Sequence, residues 1–220
     1  MKIGGFQKLS LKEFPGKLSC IVFTSGCNLR CGYCHNHQLI LDSKTIPEKD
    51  IFDFLKQRKK LIDAVVISGG EPTIQPDIID FVKKIKEMNY FVKIETNGTI
   101  PEVIEKLINI VDFISMDYKY PLEKYAEITG PVDITRIKKS KEILMNSKIP
   151  CDFHVTVIEQ LFSKDVWKQL AKELKGCNVV FQKFKNEKVL DPKYSHFKTS
   201  EEFMMGTWGF EPQSTGFFRS

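Results

Sequence analysis

The chain has 220 residues, of which 42% are hydrophobic and 28% charged, with a formal net charge of +5. This length suits one domain that buries its own core, and this balance excludes a disordered chain. No apolar run approaches the roughly 20 residues of a membrane helix, and the opening Met1-Lys2-Ile3-Gly4-Gly5 lacks the apolar core of a secretion signal, so a cytoplasmic protein with no membrane partner is expected.

The first expected strand, Cys20–Phe23, leads through Thr24-Ser25-Gly26 into a loop bearing Cys27, Cys31 and Cys34. Ile51, Phe54 and Leu55 mark a helix. Ala64–Ile67 is the second strand, followed by Ser68-Gly69-Gly70-Glu71-Pro72. Behind Pro76, a first-turn residue, Ile78, Phe81, Val82, Ile85 and Met88 recur at helical spacing, with Asn89 as a left-handed stop. Phe91–Ile94 is the third strand and runs into Glu95-Thr96-Asn97-Gly98; Val103 and Leu107 mark the next helix. Phe113–Met116 leads to Asp117-Tyr118-Lys119, and a helix follows from Ile134 to about Met145. The fifth strand, Phe153–Val157, contains His154, read as a core histidine. Val166, Leu170 and Leu174 form a helix ended by Gly176, before the last strand at Val179–Phe181. Beyond Met204 the periodicity is lost, so residues 1–203 read as one domain and 204–220 as an irregular tail. The basic runs at 56–60, 83–86 and 138–141 carry no interleaved aromatics and read as solvated helix faces, not as a nucleic-acid surface.

Several strands are apolar on consecutive positions, as strands buried on both faces should be. Six strand–helix alternations imply parallel pairing through right-handed crossovers, and six are too few for the eight-stranded barrel. Two α/β architectures remain: an open doubly wound sheet, and an incomplete (βα)6 barrel open on one side. Either places functional groups at the carboxyl ends of the strands, where every unusual polar motif of this chain falls.

Three of the six cysteines stand in C-x3-C-x2-C spacing within eight residues. In a reducing compartment such a group asks for a metal before a disulfide. Three thiolates can hold three irons of a cubane cluster and leave the fourth iron open to a ligand. The same cysteines with His35 or His37 could instead close around a structural zinc. Cys20, Cys151 and Cys177, scattered near strands, read as core thiols. Gly69-Gly70 and Asn97-Gly98 are also ordinary turn signals, and Asp117 with Lys119 could be a simple surface pair.

The cysteine loop, with Tyr33 before its last cysteine, and the later Gly69-Gly70-Glu71-Pro72 resemble the radical S-adenosylmethionine superfamily. Within it, Gly4 to Leu11, Phe14-Pro15-Gly16-Lys17 and Gly26 to Asn36 are similar to the activating proteins of anaerobic ribonucleoside-triphosphate reductase. The resemblance implies the incomplete barrel and a [4Fe–4S] cluster held by Cys27, Cys31 and Cys34, with S-adenosylmethionine on the open iron. It places Tyr33 and His35 near the adenine, Gly69, Gly70 and Glu71 along the methionine amine, and Asn97, Asp117 and Lys119 near the ribose or carboxylate. It implies two partners: the glycyl-radical subunit of the anaerobic reductase, and a low-potential electron donor such as flavodoxin or ferredoxin. A radical enzyme acting on a small molecule, similar to 7-carboxy-7-deazaguanine synthase, is the alternative within the superfamily; a non-catalytic zinc-stabilised binding module is the alternative outside it.

Overall fold

The structure is a computed structural model and describes residues 1–41 and 45–205. Among these residues seven strands occur in the order of the chain: β1 Ile3–Ser10, β2 Ser19–Thr24, β3 Ala64–Gly69, β4 Phe91–Thr96, β5 Phe113–Asp117, β6 Cys151–Val157 and β7 Val179–Lys183. The helices are α1 Gln38–Leu41, α2 Glu48–Arg58, α3 Ile78–Glu87, α4 Pro101–Leu107, α5 Tyr125–Thr129, α6 Ile134–Asn146, α7 Lys164–Glu173 and α8 Glu201–Met205. The sheet order is β1 through β7 without rearrangement, and the sheet ends at β1 and β7 instead of closing. This is the open, incomplete (βα)6 arrangement, with β2–β7 in the places of the six expected strands.

The additional strand, β1, pairs antiparallel with β2. Its sequence, Ile3-Gly4-Gly5-Phe6, hides it, because two adjacent glycines ordinarily weaken a strand. Here a Cβ on Gly4 would crowd the Ser25 side chain.

The chain forms two compact units, each assembled from separated segments. The first comprises Met1–Asn28, Gln38–Ser115 and Thr135–Cys151. In it β2 pairs in parallel with β3, and β3 with β4. Ala64, Val65, Val66 and Ile67 are all fully buried, which explains the unbroken apolar run. Ala64 and Val66 cluster with Phe14 and Ile21, so the loop after β1 packs on one sheet face. Lys93, also fully buried, ties that loop down by donating to the Glu13 carbonyl (2.7 Å) while pairing with Glu95 (2.8 Å). Helices bury their apolar stripes: Ile51 and Leu55 of α2, Ile78, Phe81, Val82 and Ile85 of α3, Ile104 and Leu107 of α4, Ile137 and Leu144 of α6. Asn89 has the expected left-handed φ of 57°. The α3 N-cap is Asp77, so Pro76 precedes the helix instead of occupying its first turn.

The second unit comprises Leu29–His37, Met116–Ile134 and Asp152–Ser220, described here to Met205. Its β6 and β7 pair in parallel, His154 opposite Val180. Trp167 of α7 packs against Phe162, Phe181 and Phe203, with ring centroids 5.1, 5.2 and 6.3 Å away. This seat holds α8, which runs through Met204 and Met205; residues 206–220 of the expected tail lie outside the described residues. His154 is a core residue, 3.2 Å from Gln182 Nε2 and 3.1 Å from Asp152 Oδ1. Cys20 is fully buried, whereas Cys151 and Cys177 are only partly so, unlike the core thiols expected.

Candidate functional site

In the first unit, Cys27 follows the paired ends of β2 and β3. Thr24 pairs with Gly69, the Gly70 N–H donates to the Thr24 carbonyl (2.9 Å), and the Glu71 N–H donates to the Gly26 carbonyl (2.8 Å). A Cβ on Gly70 would collide with the Gly26 carbonyl, and one on Gly69 with the Thr24 backbone. The two glycines therefore let one loop lie against the next, and this fixes the backbone from which Cys27 projects.

Glu71 is buried, and both its carboxylate oxygens accept from the protein. Oε1 accepts from the Thr73 N–H (3.0 Å), Thr73 Oγ1 (2.5 Å) and Thr96 Oγ1 (2.7 Å), and Oε2 accepts from the Asn97 N–H (2.6 Å). Burial pushes its pKa up, and these donors pull it back only in part. Asn97 extends the network: its Nδ2 donates to Asn28 Oδ1 (2.9 Å) and lies 3.8 Å from the Cys27 sulfur, while its Oδ1 accepts from Thr99 (2.6 Å from Oγ1). Helix α6 pins the same loop from outside, Ser140 Oγ donating to the Gly98 carbonyl and Arg136 Nε to the Thr99 carbonyl, each at 2.7 Å. Cys27, Gly69, Gly70, Glu71 and Asn97 thus belong to one hydrogen-bonded set. Asn28 and Thr96, which lie in the motifs already noted, complete it with Thr73, Thr99, Arg136 and Ser140; these last four escaped sequence reasoning, since single polar residues in a loop or on a helix carry no distinctive spacing.

In the second unit, the Cys34 N–H donates to the Cys31 carbonyl (3.0 Å), closing the tight turn that C-x2-C spacing permits. Arg30 N–H holds the loop to the Thr129 carbonyl (2.9 Å). Tyr33 is buried between Phe184 and Tyr194, with ring centroids 6.4 and 6.1 Å away, and its hydroxyl has no hydrogen-bond partner among the described residues. His35 is exposed, Nδ1 lying 2.9 Å from the Glu187 carbonyl. Asp117 and Lys119 form an ion pair at 2.6 Å, and the Lys119 N–H donates to the Tyr125 hydroxyl (3.1 Å). Burial pulls the Lys119 ammonium down, but Asp117, Tyr33 and Cys31 outweigh it and hold its pKa well above the usual lysine value. Burial pushes the Cys34 thiol up, partly offset by Lys119. Tyr118, between the two, turns away to donate to Glu173 (2.8 Å).

The donor chemistry fits an iron–sulfur centre. All six cysteines are thiols, none a half-cystine, and three stand on one short loop.

Comparison with known proteins places this arrangement. Residues 21–177 match the Radical SAM superfamily, well over half of the chain. The chain belongs to the radical SAM superfamily and is a radical SAM enzyme, working with a [4Fe–4S] cluster and S-adenosylmethionine. A protein of Methanocaldococcus jannaschii, named as a glycyl-radical enzyme activating enzyme, is 32% identical over 213 residues, covering 91% of this chain and 87% of its own. The 7-carboxy-7-deazaguanine synthase of Thermoplasma acidophilum is 35% identical over 149 residues, covering 67% and 70% respectively. Among solved structures, SuiB of Streptococcus suis bound to S-adenosylmethionine shares the fold, with a TM-score of 0.59 at 21% identity over 73% of this chain and 39% of that one. Superfamily membership sets aside the non-catalytic zinc module.

Proposed function

We propose that the enzyme activates a glycyl-radical enzyme, with the anaerobic ribonucleoside-triphosphate reductase as its target. The observation that carries this reading is the cysteine loop set within a chain similar, over 91% of its length, to a protein named for glycyl-radical enzyme activation. Cys27, Cys31 and Cys34 would hold the cluster. When bound, cluster and S-adenosylmethionine supply a 5′-deoxyadenosyl radical, the hard chemistry that protein side chains cannot perform.

The chain's own residues bind and orient. Both Glu71 oxygens accept from protein donors, which shapes the loop, and the backbone carbonyls of Gly69 and Gly70 together with this carboxylate are suited to the methionine ammonium. Lys119, held cationic by Asp117, suits the carboxylate. Tyr33 and His35 would flank the adenine, and Asn97 the ribose. A low-potential donor such as flavodoxin or ferredoxin would deliver the electron. These roles fall within residues 1–203, which we take to work as one cytoplasmic catalytic domain; no described helix is long and apolar enough to cross a membrane.

The test mixes reduced enzyme, S-adenosylmethionine and the anaerobic reductase and looks by EPR for a glycyl doublet on the reductase. Cofactor turnover without a doublet would defeat the assignment. The second reading, ring formation on a small molecule, is favoured by the local 35% identity to 7-carboxy-7-deazaguanine synthase. Stoichiometric consumption of a metabolite with no partner protein present would establish it instead.

A further inference from the structure

The segment after β7 does not belong to any motif, yet it is built onto the cysteine loop. Gly32 lies between Cys31 and Cys34, and a Cβ there would collide with the Tyr194 ring, whose Cδ2 would be 3.0 Å away. The Gly32 carbonyl accepts from the Asp191 N–H (2.8 Å). Tyr33 meets Phe184 and Tyr194, and His35 meets the Glu187 carbonyl. Residues 184–194 therefore touch three successive parts of a loop some 150 positions away in sequence.

The segment is also braced internally. The Asp191 side chain accepts from the Lys193 N–H (3.0 Å), capping the turn Pro192–His196 that carries Tyr194. The Phe197 N–H donates to the Tyr194 carbonyl (3.1 Å), the Tyr194 and Phe197 rings lie 5.3 Å apart, and Asn186 Nδ2 donates to the Ser195 carbonyl (3.1 Å). Tyr194 is 2% exposed, so its ring is a fixed wall against Gly32.

Resting on the cluster reading of Cys27, Cys31 and Cys34, we infer that Tyr194 and Asp191 are positioning residues for the metal-binding loop. The tyrosine ring and the Asp191 N–H set the path of Gly32, and Gly32 sets the spacing of the two thiols beside it. Ligand groups must be held within about half an ångström to work, and residues that do not touch the metal commonly hold them there.

The test compares anaerobically reconstituted wild type with Tyr194→Phe, Tyr194→Ala, Gly32→Ala and the Gly32→Ala/Tyr194→Ala double variant, reading iron and sulfide per chain and the EPR spectrum of the reduced centre. Tyr194→Phe keeps the ring and should match wild type. Gly32→Ala should lose at least half the iron or show changed g-values, and Tyr194→Ala should do the same to a smaller degree. The double variant, in which the new methyl has room, should recover toward wild type. Single variants with wild-type iron content and spectra, or a double variant that is merely the sum of the two losses, would overturn the inference. A wild type that takes up no iron–sulfur centre would instead sink the cluster reading beneath it.

Discussion

Gly70 shows how a motif residue can serve the protein before it serves a ligand. Its lack of a side chain is demanded by the Gly26 carbonyl, so Gly70→Ala should destabilise the fold by about 1–3 kcal/mol, the usual cost of forcing an extra methyl into packed structure. The expected drop in melting temperature, on the order of 2–4 °C per kcal/mol for a chain of this size, is read by thermal denaturation. Cys20 makes the opposite point for a thiol outside the motif. Burial pushes its pKa up to about 12 from the ordinary value of 9.0. A folded pKa above the unfolded one means stability that is full below about pH 9 and lost as pH rises through about 12. Cys20 should thus resist iodoacetamide in the native protein at pH 8 and react once the chain is unfolded; labelling in the native state would contradict its burial. The sequence revealed which residues were special at these positions but not which group each one faces. Glu71 reads as a ligand-directed carboxylate, yet its donors come from Thr73, Thr96 and Asn97, and only folding brings Thr96 and Asn97 to it.

At the scale of elements, helix α6 is the clearest link between packing and the site. Ser140 is fully buried and donates to the Gly98 carbonyl, so Ser140→Ala leaves that carbonyl unpaired and should cost about 1–3 kcal/mol. Arg136 also reaches Glu102 (2.6 Å), but that pair is exposed and screened by solvent, and Glu102→Gln should change stability far less than Ser140→Ala. Urea denaturation of the two variants side by side checks the ranking; equal effects would show that α6 does not pin the loop. The helices themselves were legible because an apolar face repeats in sequence, as Ile78, Phe81, Val82 and Ile85 do in α3. Strand β1 was not, because its partner lies across a loop and its glycines answer to Ser25 and Phe23, which sequence spacing does not disclose. The turn at Pro192–His196 was invisible for the same reason: its target, Gly32, is distant in the chain.

For the whole molecule, the proposed ligand set uses three of the six thiols, and the prediction is selective. Cys31→Ala should abolish the iron–sulfur absorbance near 400 nm and the cleavage of S-adenosylmethionine, while Cys151→Ala should keep both; loss of the centre in Cys151→Ala would move the ligand set. The interleaving of the two compact units has a practical consequence for anyone wishing to dissect the enzyme. A fragment ending at residue 115 would forfeit α6, stranding the Gly98 and Thr99 carbonyls that Ser140 and Arg136 now satisfy. A fragment beginning at residue 116 would forfeit Leu29–His37, and the ring of Tyr194 would face solvent where Gly32 had been. Neither half is self-sufficient, so a protease nick near residue 115 should leave pieces that stay associated or precipitate, never two soluble modules.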